Sequence, residues 1–154
     1  MGTRFAPDWI VKLRTIDFYG LRSWPVPDGL CSVDLDGSGR KGVGAIAHSP
    51  MMLDVRHPYT LSFLFSGNGH CYPFQHGPSV KTLLVEVAGQ HQTQGRIFYW
   101  KTGHHHDAQH GVFNQVSWSF HARELWNQIV FESLDRPITS NCGPVIAGIS
   151  LVQD

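Results

Sequence analysis

The chain consists of short apolar or alternating runs, and none of them repeats with the period of an amphipathic helix. Each run is roughly 6–10 residues long and is bounded by Gly, Pro, Asn, Asp or His, which is typical of strands. Their number and spacing predict an all-β fold in which two antiparallel sheets pack as a β-sandwich. The predicted strands are Trp9–Phe18, Leu30–Asp36, Val43–His48, Tyr59–Ser66, Val80–Ala88, Arg96–Thr102, Val112–Ala122, Leu125–Ser133 and Val145–Val152.

The length of the chain, 154 residues, suits one hydrophobic core. We therefore predict a single domain over residues 1–154. The three cysteines, Cys31, Cys71 and Cys142, permit at most one disulfide within the chain. No segment has the pattern of a signal peptide, and no apolar run reaches the roughly 18 residues of a spanning helix. We expect no membrane span, and these residues leave the compartment of the protein undetermined.

Charge is sparse and evenly distributed along the sequence. Charged residues make up 16% of the chain, and the formal net charge is zero with neutral His. Binding to phosphates requires Lys and Arg concentrated on one face, whereas here they are scattered. We therefore expect no nucleic-acid partner.

Alternation along the predicted strands assigns side chains to faces, because successive residues point to opposite sides. In the strand that ends at Ala122, Trp118 and Phe120 are predicted to face the core, and His121 to face outward. In the other strands, the side chains predicted to face inward are Val33, Leu35, Leu125, Ile129 and Phe131. Those predicted to face outward are Ser32, Asp34, Asp36, Trp126, Gln128 and Glu132.

The aromatic residues favour a binding function. Five Trp and four Tyr exceed what a core of this size needs, and sugars stack their apolar faces on exposed rings. We predict carbohydrate as the partner, with no catalytic residues. The residues predicted to contact it are Trp100, Arg96, Trp126, His121, Gln128, Trp24 and Tyr72. The alternative for any one of these rings is that it fills the end of the sandwich core.

The His-rich loop His104–His110 supports a second hypothesis. Imidazoles are common ligands of transition metals, and His104 and His106 could point the same way on an extended segment. The loop is similar to the HxH ligand pair of metal-dependent cupins, although its acidic residue, Asp107, lies inside the cluster. The hypothesis is a metal-dependent jelly-roll enzyme with His104, His106 and His110 as ligands. The alternative is a solvated loop that binds transition metals adventitiously.

The segment that begins at Asp34 starts like a calcium-binding loop. An EF-hand requires Glu at its twelfth position, which is Ala45 here, so this motif is incomplete. A structural calcium held by Asp34 and Asp36 with backbone carbonyls stays open, and otherwise we expect no cofactor. The chain also lacks a GxSxG nucleophile elbow. The residues therefore indicate no acyl-transfer enzyme.

Five segments, taken in order, resemble one family: the secreted bacterial domains called choice-of-anchor C and their relatives among plant cell-wall proteins of unassigned function. The resemblance extends from about Trp9 to Val152. The segments are Ser32–Ser38, Tyr59–Asn68, Lys81–Val87, Trp118–Ala122 and Cys142–Ile146.

The resemblance implies a galactose-binding-like jelly roll, a non-catalytic role, an extracellular location and an association with wall polysaccharide and pectin-modifying enzymes. The chain departs from the family at two places. Ala147-Gly148 stands where the family usually has Asp, and Ile46-Ala47-His48 lacks an expected Gln. A third hypothesis is a protein-interaction module or homo-oligomer, in which Trp126 is buried against a partner.

Overall fold

The computed structural model describes residues 4–20, 23–27, 31–38, 43–69, 80–103, 107–135 and 142–154. These residues form strands and one short 3-10 helix, Ala108–His110. The strands are β1 (Arg4–Ala6), β2 (Trp9–Leu13), β3 (Asp17–Tyr19), β4 (Ser32–Asp34), β5 (Ala45–His48), β6 (Met51–Met52), β7 (Pro58–Gly67), β8 (Val80–Ala88), β9 (Thr93–Lys101), β10 (Asn114–His121), β11 (Trp126–Ser133) and β12 (Pro144–Gln153).

The strands form two antiparallel sheets. Sheet A has the order β1-β2-β5-β11-β8-β9, with β6 also paired to the start of β11. Sheet B has the order β10-β7-β12-β4-β3. The predicted antiparallel β-sandwich is therefore confirmed, and β8 has the predicted boundaries.

The core lies between the sheets and is rich in aromatic rings. Phe63 of sheet B meets Phe98 and Phe131 of sheet A edge to face, with ring centroids 5.4 and 5.2 Å apart. Such pairs bury large apolar areas in a preferred geometry. Phe120 is buried, and Trp118 packs partly buried beside it, as their alternation predicted.

The predicted strand Trp9–Phe18 is wrong as one element, since it is divided between the two sheets. β2 belongs to sheet A and β3 to sheet B. Between them Arg14 has a φ of 50°, in the left-handed region, where the chain turns from one sheet to the other. Alternation cannot predict such a change of sheet, because the apolar pattern continues through it.

Four predicted orientations are also wrong. Leu125 is 52% exposed, because it precedes β11 and does not share its pleat. Ser32, Asp34 and Asp36, predicted to face outward, are buried. Their side of β4 is covered by other segments of the chain, and alternation alone does not show whether a face is covered.

Within the described residues, no helix is long and apolar enough to cross a membrane. Cys142 is disulfide-bonded and Cys31 is free. The partner of Cys142 lies outside the described residues. The chain thus uses the single disulfide that its cysteine count permits.

Candidate functional site

Trp126 is the first residue of β11, and its side chain is 55% exposed. Gln128 points the same way, because residues two apart on a strand share a face. Across the neighbouring strands, Met52 lies opposite Trp126 and Ala88 lies opposite Gln128. The outward orientation predicted for Trp126 is confirmed, and its ring lies on the outer face of sheet A.

A shallow pocket of about 200 Å³ lies beside this ring. Its lining residues are uncharged, and three of them carry side-chain amides. The lining residues are Pro50, Ala88, Gly89, Gln90, Trp126, Asn127 and Gln128. The Nδ2 of Asn127 donates to the carbonyl oxygen of Glu124 at 2.6 Å, which fixes the floor of the pocket. We call this surface the Trp126 pocket.

One wall of the Trp126 pocket is a turn between β8 and β9 that Glu124 holds in place. The Glu124 carboxylate accepts hydrogen bonds from the backbone N–H groups of Gln90, His91 and Gln92, at 2.8, 2.8 and 2.5 Å. A Cβ at Gly89 would lie 2.8 Å from the Glu124 carboxyl carbon, so the close approach requires glycine. The turn is therefore ordered before any ligand arrives.

The same contacts set the ionisation of Glu124. Burial acts to raise the pKa of this carboxyl, but the three N–H groups outweigh burial and hold the pKa below its ordinary value. Each N–H donates to the charged form of the carboxyl. Glu124 is therefore a carboxylate at neutral pH, and it lies immediately behind the pocket wall.

Trp100, predicted to contact a ligand, lies in the core. Its side chain is 7% exposed, its Nε1 donates to Asp107 Oδ1 at 3.2 Å, and its ring packs edge-on against Phe65. It cannot act as an exposed stacking platform. The opposite face of β9 is the outward one, where Tyr99 is 67% exposed.

Arg96 and His121 are exposed and are not among the residues that line the Trp126 pocket. The Arg96 guanidinium lies 5.4 Å from the centroid of the Phe98 ring, at the edge of sheet A. His121 ends β10 and lies opposite Pro58 in sheet B. Of the predicted contact residues, the structure brings together Trp126 and Gln128 in one pocket.

Trp24 is half-buried and stacks on Tyr19, with ring centroids 3.7 Å apart and planes inclined by 12°. Burial, with the nearby charges of Asp34 and Asp17, raises the pKa of Tyr19. This pair lies beside β3, on the other sheet from Trp126. The predicted contact residue Tyr72 lies outside the described residues.

Two of the three predicted metal ligands lie outside the described residues. His104 and His106 are not among the described residues, and His110 is the exposed last residue of the 3-10 helix. In the part of the chain that is described, no three His, Cys, Asp or Glu side chains are arranged to hold a metal ion. Asp107 is buried, and its Oδ1 accepts from Trp100 Nε1 and the Gly103 N–H. Asp107 therefore has a structural role here.

A second polar region, which we call the buried cluster, consists of Asp34, Asp36, Asn68, Lys81 and Asp135. Asp34 Oδ1 accepts from the N–H groups of Asp36 and Gly143, both at 2.9 Å, and Oδ2 accepts from Asn68 Nδ2 at 2.8 Å. Burial raises the pKa of Asp34 to about 8, although these donors act in the opposite direction.

Lys81 supplies the positive charge of the buried cluster. Its Nζ donates to the Cys142 carbonyl oxygen at 2.5 Å and lies 3.6 Å from Asp135 Oδ2. Burial lowers the pKa of Lys81, against the attraction of the surrounding carboxylates. Burial likewise raises the pKa of Asp36, and it raises that of Asp135 to about 6.

A structural calcium was considered for Asp34 and Asp36, and the structure shows how the Asp34 oxygens are engaged. Calcium requires several free oxygen ligands. Both oxygens of Asp34 already accept N–H groups, and the Lys81 ammonium occupies the same interior region. A Cβ at Gly143 would lie 2.7 Å from Asp34 Oδ1, so glycine is needed to let the backbone N–H reach this carboxylate.

Sequence reasoning missed the buried cluster, although the resemblance contained a signal for it. Four of the matching segments contribute residues or carbonyls to it: Asp34 and Asp36 from the first, Asn68 from the second, Lys81 from the third and Cys142-Gly143 from the last. Segments far apart in sequence thus meet in one network. The network is an internal structural feature of the sandwich.

Comparison with known proteins supports the fold and leaves the family open. No family model matches the chain, and no curated protein sequence matches it. The enzymatically active domain of tailspike protein 4 of bacteriophage CBA120 is similar in structure, with a TM-score of 0.55 and 9% identity. That likeness covers 96% of this chain but only 19% of the tailspike chain.

Two carbohydrate-binding modules are similar over nearly their whole length. The C-terminal CBM6 of LamC, a marine laminarinase from Zobellia galactanivorans, gives a TM-score of 0.50 at 12% identity, covering 90% of this chain and 99% of the module. A family 16 carbohydrate-binding module gives a TM-score of 0.51 at 14% identity, and the likeness covers 86% of this chain and 92% of the module. At such identities the likeness shows the fold, which is the antiparallel jelly-roll sandwich of these modules.

Proposed function

We propose that this protein is a non-catalytic carbohydrate-binding module and that the Trp126 pocket is its binding site. The observation that carries the proposal is the exposed Trp126 ring beside a pocket lined by Gln90 and Gln128, which carry side-chain amides. An indole ring can stack on the apolar face of a pyranose, and amides can both donate to and accept from sugar hydroxyls. The two similar structures that are carbohydrate-binding modules support it.

The order of the pocket wall also supports binding. Glu124 fixes the turn that carries Gln90, and the Asn127 amide is fixed to the Glu124 carbonyl. A site that is ordered in advance loses little conformational entropy when a ligand binds. The pocket is shallow, so we expect weak affinity of the kind that a polysaccharide with many equivalent units can use.

The chemistry of the lining supports a binding role over a catalytic one. Glycoside hydrolysis needs two carboxyl groups on either side of the scissile bond. The residues that line the pocket carry no carboxyl, imidazole or thiol group. The nearby Glu124 carboxylate is engaged by three N–H groups. Binding is the activity that this arrangement supports best.

Affinity electrophoresis in gels containing soluble polysaccharides tests the proposal. We expect Trp126→Ala to weaken retention about tenfold or more, since truncating a central aromatic anchor costs about 1–2 kcal/mol. The control is Tyr99→Ala, which removes another exposed ring roughly 20 Å further along sheet A. Equal retention of both variants, or no retention of the unmodified protein on any glycan, would contradict the proposal.

We also propose the finer family assignment, choice-of-anchor C and its plant cell-wall relatives, on the strength of the five matching segments. The bridged Cys142 supports the extracellular location that this family implies, because disulfides persist in oxidising compartments. An association with wall polysaccharide belongs to the same proposal.

One observation favours a second candidate, the interaction module. Met52 is 61% exposed and lies opposite Trp126, and Leu125, the residue before Trp126, is 52% exposed, so exposed apolar side chains adjoin the pocket. Adjacent exposed apolar groups are common at protein interfaces. A stable dimer in light scattering, together with an absence of glycan retention, would favour this candidate.

A further inference from the structure

The Trp126 pocket presents polar groups without formal charge. Its lining combines apolar residues with Gln90 and Gln128, which carry side-chain amides. Amides match the paired donor and acceptor character of a hydroxyl. A carboxylate only accepts, and strong carboxylate sites use Lys or Arg. No Lys or Arg is among the residues that line this pocket.

The Glu124 carboxylate, beside the pocket wall, has the sign of charge that repels an anion. The Glu124 carboxylate accepts from the N–H of Gln90, so it lies one peptide unit behind a residue that lines the pocket. Its three N–H partners hold its pKa below the ordinary value, which keeps it charged at neutral pH. His91, in the same turn, is exposed and is not among the residues that line the pocket.

We propose that the Trp126 pocket selects uncharged glycosyl units and rejects uronates, an inference that rests on the proposed carbohydrate-binding function. The ligand class is a neutral polysaccharide whose hexose units carry a hydroxymethyl group. A uronate of the same ring would bring a second negative charge close to Glu124 with no cation to offset it. This distinguishes the pocket from a site for acidic wall polymers such as unesterified pectin.

The test uses matched polymers that differ only at C6, where one carries a hydroxymethyl group and the other a carboxylate. Soluble glucan, mannan and galactan are each compared with the same polymer after its C6 hydroxymethyl groups have been oxidised to carboxylates. Retention is measured at pH 8 and low ionic strength for the unmodified protein and for Trp126→Ala. We expect the uncharged form to be retained roughly threefold to tenfold more strongly. The difference should shrink in 0.5 M NaCl, which screens charges at the surface.

A second variant changes the charge of the pocket. Gln90→Lys places a cation on an exposed lining residue, and we expect it to raise retention of the oxidised polymer relative to the neutral one. Trp126-dependent retention of the oxidised polymer that equals or exceeds that of the neutral form would overturn this inference and leave the binding function intact. Retention of neither form would overturn the proposed function itself.

Discussion

Two carboxylates in this protein have nearly the same hydrogen-bond environment and opposite ionisation behaviour. Glu124 and Asp34 each accept hydrogen bonds from three N–H groups. The pKa of Glu124 lies below its ordinary value, whereas that of Asp34 is raised to about 8. The difference is burial, which removes Asp34 from water and disfavours its charged form. Hydrogen bonds decide ionisation at the surface, and burial decides it in the interior.

The contrast extends to what each carboxylate does for the molecule. Glu124 orders the turn beside the Trp126 pocket at a position where solvent supports its charge. In the buried cluster, Asp34, Asp36 and Asp135 share one cation, Lys81, so full ionisation would leave two uncompensated negative charges. The raised pKa values of the three carboxyls have the direction that reduces this excess. The interior network is therefore sensitive to the loss of its cation.

Removing the cation should produce the largest effect. We expect Lys81→Met to lower the free energy of unfolding by about 3–5 kcal/mol, because it leaves buried carboxylates without their counter-charge. That is a large part of the roughly 5–15 kcal/mol typical of a domain. Urea denaturation at pH 7 measures it. The control, Lys101→Met, removes an exposed lysine from β9 and should change stability by less than about 0.5 kcal/mol. Equal effects of the two substitutions would show that the buried ammonium contributes little.

The second prediction concerns the pH dependence of folding. A carboxyl whose pKa is higher in the folded state binds more protons when folded, so its contribution to stability is present at low pH and is lost as pH rises. For Asp34 this window runs from its ordinary value of 3.8 to about 8, and Asp135, at about 6, adds to its lower part. We expect the free energy of unfolding to fall between pH 6 and 8 by up to about 1.4 kcal/mol per pH unit.

Asp34→Asn isolates this contribution, because it removes one titratable group and leaves the composition of the others unchanged. The variant should be less stable at pH 6. The amide NH₂ that replaces one carboxylate oxygen cannot accept, so it would face either the Asn68 Nδ2 donor or the backbone N–H donors. Its stability should nevertheless change less between pH 6 and 8. Urea midpoints at both pH values measure the slopes. A parallel decline in the two proteins would show that Asp34 does not titrate in this range.

The sequence predicts the outer surface of this fold better than its interior network. Alternation correctly orients Trp126 and Gln128, because each needs only the pleat of its own strand. Alternation does not show which face of β9 points to the core. The packing of Trp100 against Phe65 shows that the face with Trp100 does. Alternation assigns Asp34 outward, since no periodicity shows that Asn68 and Gly143 lie over it.

The Trp126 pocket was likewise predictable in part. Trp126 and Gln128 follow from the strand pattern, but Gln90 and Pro50 lie outside the strands. Their positions depend on contacts between segments, such as the Glu124 carboxylate with the β8–β9 turn. Gly89, at the end of β8, was the local signal for that turn, and only the structure shows which carboxylate it admits.

The smallest predicted effect is at Glu124, where solvent moderates the loss of a charge. We expect Glu124→Gln to leave global stability nearly unchanged and to speed amide hydrogen exchange at Gln90, His91 and Gln92 by roughly threefold to tenfold. The reason is that a Gln side chain offers one accepting oxygen in place of two. Glycan retention through the Trp126 pocket should weaken in parallel, because the turn forms one wall of that pocket.

The pH profile of the exchange separates this role of Glu124 from a general loss of packing. A lowered folded pKa means that the stabilising contacts are present above the ordinary value of 4.5 and are lost as pH falls through the folded pKa. After correction for intrinsic exchange rates, protection of the three amides should therefore decline below about pH 4.5 in the unmodified protein and stay flat in Glu124→Gln. Glu86→Gln, which removes a carboxylate from β8 away from this turn, is the matched control. Unchanged protection in Glu124→Gln would mean that the turn holds its shape without the carboxylate. The role assigned to Glu124 in the comparison with Asp34 would then be wrong.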